Sequence, residues 1–183
     1  MMSYLLVLYH SRTDSVKNMA YEIGDAAQHD GIDVKIRCFS DDSDDLAVTI
    51  DDLKHCAGLA FGSPTRFGMM ASSAKQFWET TSDVWLSGEL IDKPAAVFTS
   101  SSSLHGGNEA TLLSMSLPLL HHGMLLCGVP YDVPALSSTK TGGTPYGASH
   151  VSGLTNSSQL SAEELSICQS VGARLAKLIK QLQ

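Results

Sequence analysis

The chain has 183 residues, of which 43% are hydrophobic and 17% are charged, so we expect one globular domain over residues 1–183 and exclude a disordered chain. The 12 basic and 19 acidic residues give a net charge of -7, and six of the acids lie within residues 41–52. Lys and Arg form no cluster in the sequence, which argues against a nucleic-acid-binding protein and against binding to an anionic membrane surface.

The sequence also lacks the marks of an exported or membrane-inserted protein. No apolar run approaches the roughly 20 residues of a membrane-spanning helix, and no basic segment precedes the short apolar run that starts at Leu5. The cysteines are widely spaced and form no CxxC pair. We therefore expect no secretory signal, no membrane insertion and a cytoplasmic protein with reduced cysteines: Cys38, Cys56, Cys127 and Cys168.

The first half of the chain alternates apolar runs with amphipathic segments. The run Tyr4–Tyr9 is apolar throughout, which is typical of a central parallel strand. Apolar residues between Val16 and Ala27 recur at helical spacing and predict a helix that ends before Gly31. The pattern then predicts a strand over 33–37, an acidic loop over 40–52 and a strand over 57–62.

The second half continues this alternation. Helices are predicted over 71–78 and 109–120, the latter with Pro118 in its last turn, and strands over 95–100 and 124–129. Residues 130–160 are rich in Gly, Ser, Thr and Pro and predict a long ordered loop, which in a compact domain usually has a function. Ser161 and Glu164 form a capping box that predicts the start of a final helix.

Five strands that alternate with helices predict an α/β fold with a doubly wound parallel sheet. Right-handed crossovers place helices on both faces of such a sheet. A ligand then binds at the carboxyl ends of the strands, where the strand order reverses. The loops after the first, third and fourth strands are therefore the candidate binding loops.

The loop after the first strand has the composition of a phosphate-binding loop. It offers three hydroxyl groups beside the free backbone N–H groups of a helix N-terminus, an arrangement that binds anions. It lacks GxxxxGK[ST] and GxGxxG, which excludes an ATPase loop and a dinucleotide-binding turn. The alternative is that Ser15 only caps the helix. The candidate phosphate-binding residues are Ser11, Arg12, Thr13, Asp14, Ser15 and Val16.

The other two loops are suited to hold a flat ring. Gly62–Gly68 predicts a tight turn in which Arg66 adds a cation and Phe67 an aromatic edge. Ser100–Gly107 combines small polar residues with two glycines that let backbone approach a ligand closely. Each loop taken alone also suits an ordinary surface turn. One phosphate loop and two ring-binding loops together indicate a mononucleotide such as FMN.

Six short blocks of sequence occur together in a fixed order. They are Ser63-Pro64-Thr65-Arg66-Phe67-Gly68, Leu86-Ser87-Gly88, His105-Gly106-Gly107, residues 109–113, His121-His122-Gly123-Met124 and residues 142–148. These blocks resemble the WrbA family of flavodoxin-like NAD(P)H:quinone oxidoreductases, and the resemblance runs from about Tyr4 to the final helix. It implies a flavodoxin-like fold with strand order 2-1-3-4-5, FMN as cofactor, NAD(P)H and a quinone as substrates, and a homotetramer.

The resemblance also implies roles for individual residues. Ser11 matches the serine that opens the family's phosphate loop, His121 a histidine that reaches the flavin, and Trp85 a tryptophan that lines the substrate pocket. The turn that contacts the flavin corresponds to Thr65, Arg66 and Phe67. The second flavin loop corresponds to Ser100, Ser101, Ser102, Ser103, Gly106 and Gly107.

This sequence departs from the family pattern at several positions. Asp14 stands where the family usually has glycine, and a carboxylate there would repel a phosphate. Thr13 replaces an aromatic residue implicated in nicotinamide binding, and Met69 replaces the usual asparagine. The segment 40–54 is short compared with longer family members. These departures bear on FMN affinity and on the choice of nicotinamide.

The chemistry that we expect from the resemblance is a two-step exchange at one site. NAD(P)H delivers a hydride to flavin N5 and leaves, and a quinone then receives two electrons, so the kinetics are ping-pong. We expect no side chain to act as acid or base and no metal site. Arg66 or backbone amides would stabilise the anionic reduced flavin, while Trp85 and Phe67 would stack on flat substrates.

Two other functions are compatible with the sequence. A flavodoxin-type carrier would pass single electrons between proteins, and its acidic residues within 41–52 would dock a basic partner. A flavin-free interaction protein would result if Asp14 had disabled the phosphate site. A solvated turn is the simpler interpretation of the acidic residues.

Overall fold

A computed structural model describes residues 4–39 and 45–183. Three acids of the acidic segment, Asp41, Asp42 and Asp44, lie outside the described residues. Six strands and seven helices occur in the described residues. In chain order they are β1 (Tyr4–Tyr9), α1 (Ser15–His29), β2 (Asp33–Cys38), α2 (Ile50–His55), β3 (Gly58–Pro64), α3 (Ser72–Glu79), α4 (Ser82–Ser87), β4 (Pro94–Ser101), α5 (Asn108–His121), β5 (Leu125–Leu126), α6 (Ala135–Ser138), β6 (Ala148–Val151) and α7 (Ala162–Leu182).

The strands form one parallel sheet in the order β2-β1-β3-β4-β5, which confirms the predicted fold. The three central strands β1, β3 and β4 are buried along their whole length, as expected for strands covered on both faces. Alternate residues of β1 point into two separate cores. Leu5 and Val7 pack with α1 and α7, whereas Leu6 and Leu8 pack on the side of α2 to α5.

The edge of the sheet beside β4 differs from the prediction of one strand over 124–129. Leu125 and Leu126 pair with the start of β4, and β6 pairs with its end from Phe98 to Ser101. Between β5 and β6 the chain leaves the edge of the sheet. Pro130 has no N–H to donate to β4, and the Val129 N–H donates to the Pro145 carbonyl instead. The predicted loop over 130–160 therefore contains a helix, α6, and the missing strand, β6.

Two short helices besides α6 were missed by the sequence patterns. Helix α2 begins at a capping box in which Thr49 and Asp52 exchange hydrogen bonds, a signal that the acidic composition obscured. Helix α4 has six residues, too few for a periodic pattern to appear. The predicted capping box of Ser161 and Glu164 is confirmed at the start of α7.

Helix α1 lies directly on α7, and a glycine sets their separation. A Cβ placed on Gly172 would lie 2.1 Å from the Ile23 carbonyl oxygen and 3.0 Å from the Ala26 side chain. Helical backbones approach this closely only where one residue lacks a side chain. Because α1 follows the predicted phosphate loop directly, this contact also fixes where that loop lies. None of the described helices is long and apolar enough to cross a membrane.

Candidate functional site

A cavity of about 1240 Å³ opens at the carboxyl edge of the sheet, where the binding loops were predicted. Its wall brings together four predicted site residues from distant parts of the chain. Arg12 comes from the loop after β1 and Arg66 from the loop after β3, while Trp85 lies on α4 and His121 ends α5. Most of the exposed wall surface is apolar, as in most small-molecule sites, and polar and charged side chains are interspersed along it.

The other predicted residues do not line this cavity but lie on the loops beside it. Those loops are in contact with each other. The Thr65 N–H donates to the Ser100 carbonyl oxygen at 2.9 Å, and a Cβ on Gly107 would lie 3.2 Å from the Gly68 Cα. The residues outside the cavity wall are Ser11, Thr13, Asp14, Ser15, Val16, Thr65, Phe67, Ser100, Ser101, Ser102, Ser103, Gly106 and Gly107.

The predicted phosphate loop has an unusual backbone. Asp14 is the N-cap residue of α1 and adopts the left-handed conformation, with φ 60° and ψ -5°, and its side chain caps nothing. Glycine takes this conformation without strain, whereas other residues do so at a cost. The alternative in which Ser15 caps the helix is wrong, because Ser15 is the first helical residue and its buried hydroxyl has no hydrogen-bond partner. A helix N-terminus with a buried, unpartnered hydroxyl beside it suits an anionic ligand.

The turn after β3 is held rigidly by its backbone and presents an unsupported ring. Arg66 and Met69 exchange two backbone hydrogen bonds of 2.8 and 3.0 Å across the turn. Phe67 and Gly68 between them have φ angles of 52° and 79°. The Phe67 side chain is fully exposed. An aromatic ring that packs on nothing, carried by a strained residue, indicates a ligand contact.

Hydroxyl groups anchor the base of the same turn to its neighbours. Thr65 Oγ1 lies 3.3 Å from the Thr99 hydroxyl and accepts a hydrogen bond of 3.1 Å from Thr111 on α5. In the loop after β4, Ser101 Oγ donates to the Ser103 carbonyl at 2.7 Å, and the Gly106 N–H donates to the same oxygen at 3.0 Å. The backbone of both predicted flavin loops is therefore fixed without a ligand.

Two guanidinium groups give one side of the cavity a positive charge. His10, also on the wall, lies 3.3 Å from the Ser73 hydroxyl through its Nδ1 atom. Burial, with the nearby charges of Arg66 and Arg12, lowers the pKa of His10 and keeps its ring neutral at pH 7. The positive charge of this side of the cavity therefore comes from its two arginines and not from His10.

The opposite side of the cavity contains residues that sequence reasoning missed. Trp78 and His122 are both buried, with ring centroids 5.4 Å apart. His122 Nε2 lies 2.9 Å from the Thr81 hydroxyl, which itself donates to the Trp78 carbonyl oxygen. Burial and the adjacent His121 lower the pKa of His122. The sequence block His121-His122 was the available signal, and the prediction selected the exposed histidine of the two.

Two acids of the segment 41–52 are paired within the chain. Asp52 binds Lys35 at 3.1 Å and Arg37 at 3.0 Å. Burial opposes the charge on Asp52, but the hydrogen bonds from Lys35, Arg37 and Thr49 outweigh burial and lower the pKa of its carboxyl. Asp45 accepts hydrogen bonds from Tyr9 and Tyr21. These two carboxylates stabilise the fold and are not free to dock a basic partner.

Comparison with proteins of known sequence identifies the family to which this chain belongs. The family model of NADPH-dependent FMN reductases matches residues 9–130. A protein of Rhizobium rhizogenes named NAD(P)H dehydrogenase (quinone) is 36% identical, with 99% of both chains covered. One of the same name from Chromohalobacter salexigens is 37% identical, again with 99% of both chains covered.

Solved structures support the fold. A WrbA-like flavodoxin from Agrobacterium tumefaciens matches with a TM-score of 0.74 at 23% identity, covering 99% of each chain. The flavodoxin of Megasphaera elsdenii matches with a TM-score of 0.59 at 18% identity, covering 94% of this chain and 98% of its own. Together with the relatives above, these matches confirm the resemblance to WrbA proteins, and the chain belongs to the NADPH-dependent FMN reductase family.

Proposed function

We propose that this protein is an FMN-dependent oxidoreductase that reduces quinones with NAD(P)H. The observation that carries the proposal is the cavity at the carboxyl edge of the sheet, bordered by a phosphate-type loop and two rigid loops. The full-length relatives named NAD(P)H dehydrogenase (quinone) support the choice of substrates. FMN, when bound, supplies a ring that accepts a hydride and passes on two electrons.

The residues present fit FMN. The buried hydroxyl of Ser15 lacks a partner at the N-terminus of α1, where the helix dipole favours an anion. We infer that the phosphate is held there by residues 11–16 and that the ring lies between the turn at 65–67 and the loop over 100–107. Arg66 would then counter negative charge on the reduced ring, and Phe67 would cover it.

Flat substrates would enter over the apolar wall of the cavity. Trp85 is half exposed there and would stack on a quinone or a nicotinamide. The lowered pKa of His10 and of His122 favours the neutral rings, so neither is an imidazolium that would act as a general acid near pH 7. The contribution of this chain is therefore binding and orientation, as the resemblance implied.

An anaerobic titration tests this function directly. Protein loaded with FMN and desalted should bleach on addition of NADH or NADPH in one two-electron step and recover its colour on addition of a quinone. Initial rates should give parallel double-reciprocal lines. Intersecting lines would contradict the exchange at one site, and retained flavin that NAD(P)H does not reduce would contradict the proposed enzyme.

The electron-carrier alternative has less support. The docking patch of a carrier would consist of the acids within 41–52. Asp52, one of them, is already paired with Lys35 and Arg37. Asp45, another acid of that range, accepts hydrogen bonds from two tyrosines. A stable one-electron species during stepwise reduction would nevertheless favour the carrier.

We also propose that the protein works as a homotetramer in the cytoplasm. Helix α5 exposes three leucines on one side, Leu113, Leu117 and Leu120, each more than half exposed. They border a groove of about 350 Å³ that Leu126 and Tyr146 also line. A patch of this kind is typical of an interface between subunits. The four free, buried cysteines suit a reducing compartment.

Leu117→Glu tests the proposed assembly. A charge in the middle of the α5 patch is expected to dissociate the tetramer because it would be buried without a partner. Analytical ultracentrifugation should show a smaller species with unchanged circular dichroism. Leu182→Glu is the matched control, since Leu182 has comparable exposure at the end of α7 and should leave the assembly intact. Equal sedimentation of both variants and the parent would contradict the role of this patch.

A further inference from the structure

A buried ion pair lies outside the proposed flavin site. His150 on β6 and Glu164 on α7 have side chains that are 2% and 1% exposed, and His150 Nδ1 lies 2.8 Å from Glu164 Oε2. The second ring nitrogen, Nε2, lies 2.8 Å from the carbonyl oxygen of Ser157. Both ring nitrogens of His150 therefore face oxygen atoms.

The hydrogen bonds around the pair define its protonation. Glu164 Oε1 accepts from the backbone N–H groups of Gly142 and Val151, and Oε2 accepts from that of Ser161. These three backbone donors stabilise Glu164 as a carboxylate, and a carboxylate only accepts. The Ser157 carbonyl also only accepts. His150 must consequently donate from both nitrogens, which makes it an imidazolium ion.

The bond to Ser157 holds a segment that borders the proposed flavin site. We call residues 152–158 the bridging segment. At its start, the Ser152 N–H and hydroxyl both donate to the Ser101 carbonyl, at 2.9 and 3.3 Å. At its end, the Ser158 carbonyl accepts a hydrogen bond of 2.9 Å from Asn18 on α1. The bridging segment thus links the loop after β4 to the helix that follows the phosphate loop.

We propose that His150 is a positioning residue for FMN: as an imidazolium ion it holds the bridging segment between Ser101 and α1, and loss of its proton loosens FMN binding. The inference rests on the FMN site proposed above. A neutral imidazole has one N–H, so it would satisfy Glu164 or Ser157 but not both. The segment would then lose its attachment to His150 near its end while the rest of the fold stays in place.

The surroundings of the pair favour a titration in the neutral to alkaline range. Burial opposes the charge on His150, but its hydrogen bonds to Glu164 and Ser157 outweigh burial and raise its pKa. The charged group that faces His150 is Glu164, whose pKa is lowered to about 2 because the hydrogen bonds from His150 and the backbone outweigh burial. Cys168 faces the same carboxylate from the next turn of α7, and burial keeps its thiol neutral by raising the pKa.

The test measures FMN binding by quenching of flavin fluorescence between pH 7 and pH 9.5. The parent protein should bind FMN about tenfold more weakly at pH 9.5 than at pH 7, whereas His150→Gln should show the same dissociation constant at both. His55→Gln is the matched control, because His55 is exposed on α2 and should keep the parent's pH profile. A pH dependence in His150→Gln equal to the parent's would overturn the proposal.

Hydrogen exchange supplies a readout without flavin. In the protein free of FMN, amides of the bridging segment should exchange faster at pH 9.5 than the intrinsic pH dependence allows, and those of β1 should not. Unchanged protection of the segment would overturn the proposal even if FMN affinity fell. Failure of the parent to bind FMN at pH 7 would instead contradict the proposed function, and this inference with it, whereas pH-independent FMN binding would contradict this inference alone.

Discussion

Asp14→Gly is expected to tighten FMN binding about tenfold. Two like charges about 4 Å apart repel by about 1 kcal/mol even in bulk water, and a phosphate dianion roughly doubles this effect. Removal of the carboxylate from the N-terminus of α1 therefore favours the complex by at least the 1.4 kcal/mol that a factor of ten requires.

Two further variants separate charge from backbone conformation. Asp14→Asn removes the charge but tolerates a positive φ, so it should match the affinity of the glycine variant. Asp14→Ala should also bind FMN more tightly but unfold about 1 kcal/mol more easily, because alanine pays a larger penalty in the left-handed region. Equilibrium dialysis and urea titration measure the two effects. Affinity gains confined to the glycine variant would show that repulsion is not the cause.

Salt provides an independent check on the same explanation. The advantage of Asp14→Asn over the parent should shrink as ionic strength rises from 0.01 to 0.15 M, because the screening length falls from about 30 to about 8 Å. An advantage that does not vary with salt would point away from electrostatic repulsion.

Gly172→Ala is expected to lower the free energy of unfolding by about 3 kcal/mol, at the upper end for an overpacked core. The new methyl group would lie 2.1 Å from the Ile23 carbonyl oxygen, so α1 and α7 must move apart. Gly172 lies within a helix, where alanine is otherwise the better residue, so the measured loss is a lower bound on the cost of the poorer packing. Urea-induced unfolding followed by circular dichroism gives the free energy.

Gly24→Ala is the matched control for that experiment. Gly24 lies within α1, but a Cβ there would meet side-chain atoms of Val34, the nearest at 3.3 Å, which can shift. The higher helix propensity of alanine should offset the crowding. The free energy of unfolding of Gly24→Ala should therefore stay within about 1 kcal/mol of the parent's. Equal losses in the two variants would show that the α1–α7 contact is not unusually tight.

Gly172→Ala should also weaken FMN binding, because it displaces the helix behind the proposed phosphate loop.

The parts of the fold that follow from local pattern were predictable. The uninterrupted apolar run of β1 and the helical spacing from Val16 to Ala27 each predict their element within two residues. The split edge of the sheet could not be predicted. Ala148–Val151 is too short to show a pattern, and its pairing with β4 depends on distant residues. Whether a segment of four residues forms a strand depends on the strand with which it pairs.

The candidate site shows the same division. Arg12, Arg66, Trp85 and His121 were predicted and share one cavity. The left-handed backbone of Asp14 leaves no signal in the sequence itself, because residues other than glycine seldom adopt it. The pair of His150 and Glu164 could not be anticipated, because the sequence assigns Glu164 to a capping box and leaves its second role to tertiary structure.

The packing of α1 on α7 has a consequence for how the protein is made. The two helices touch through residues as far apart as Glu22 and Gln169, near opposite ends of the chain. During synthesis from the amino terminus, α1 remains without its covering helix until α7 has also left the ribosome. The position of the proposed phosphate loop is therefore secured only after α7 has been made, and a nascent chain that stops before α7 should not bind FMN.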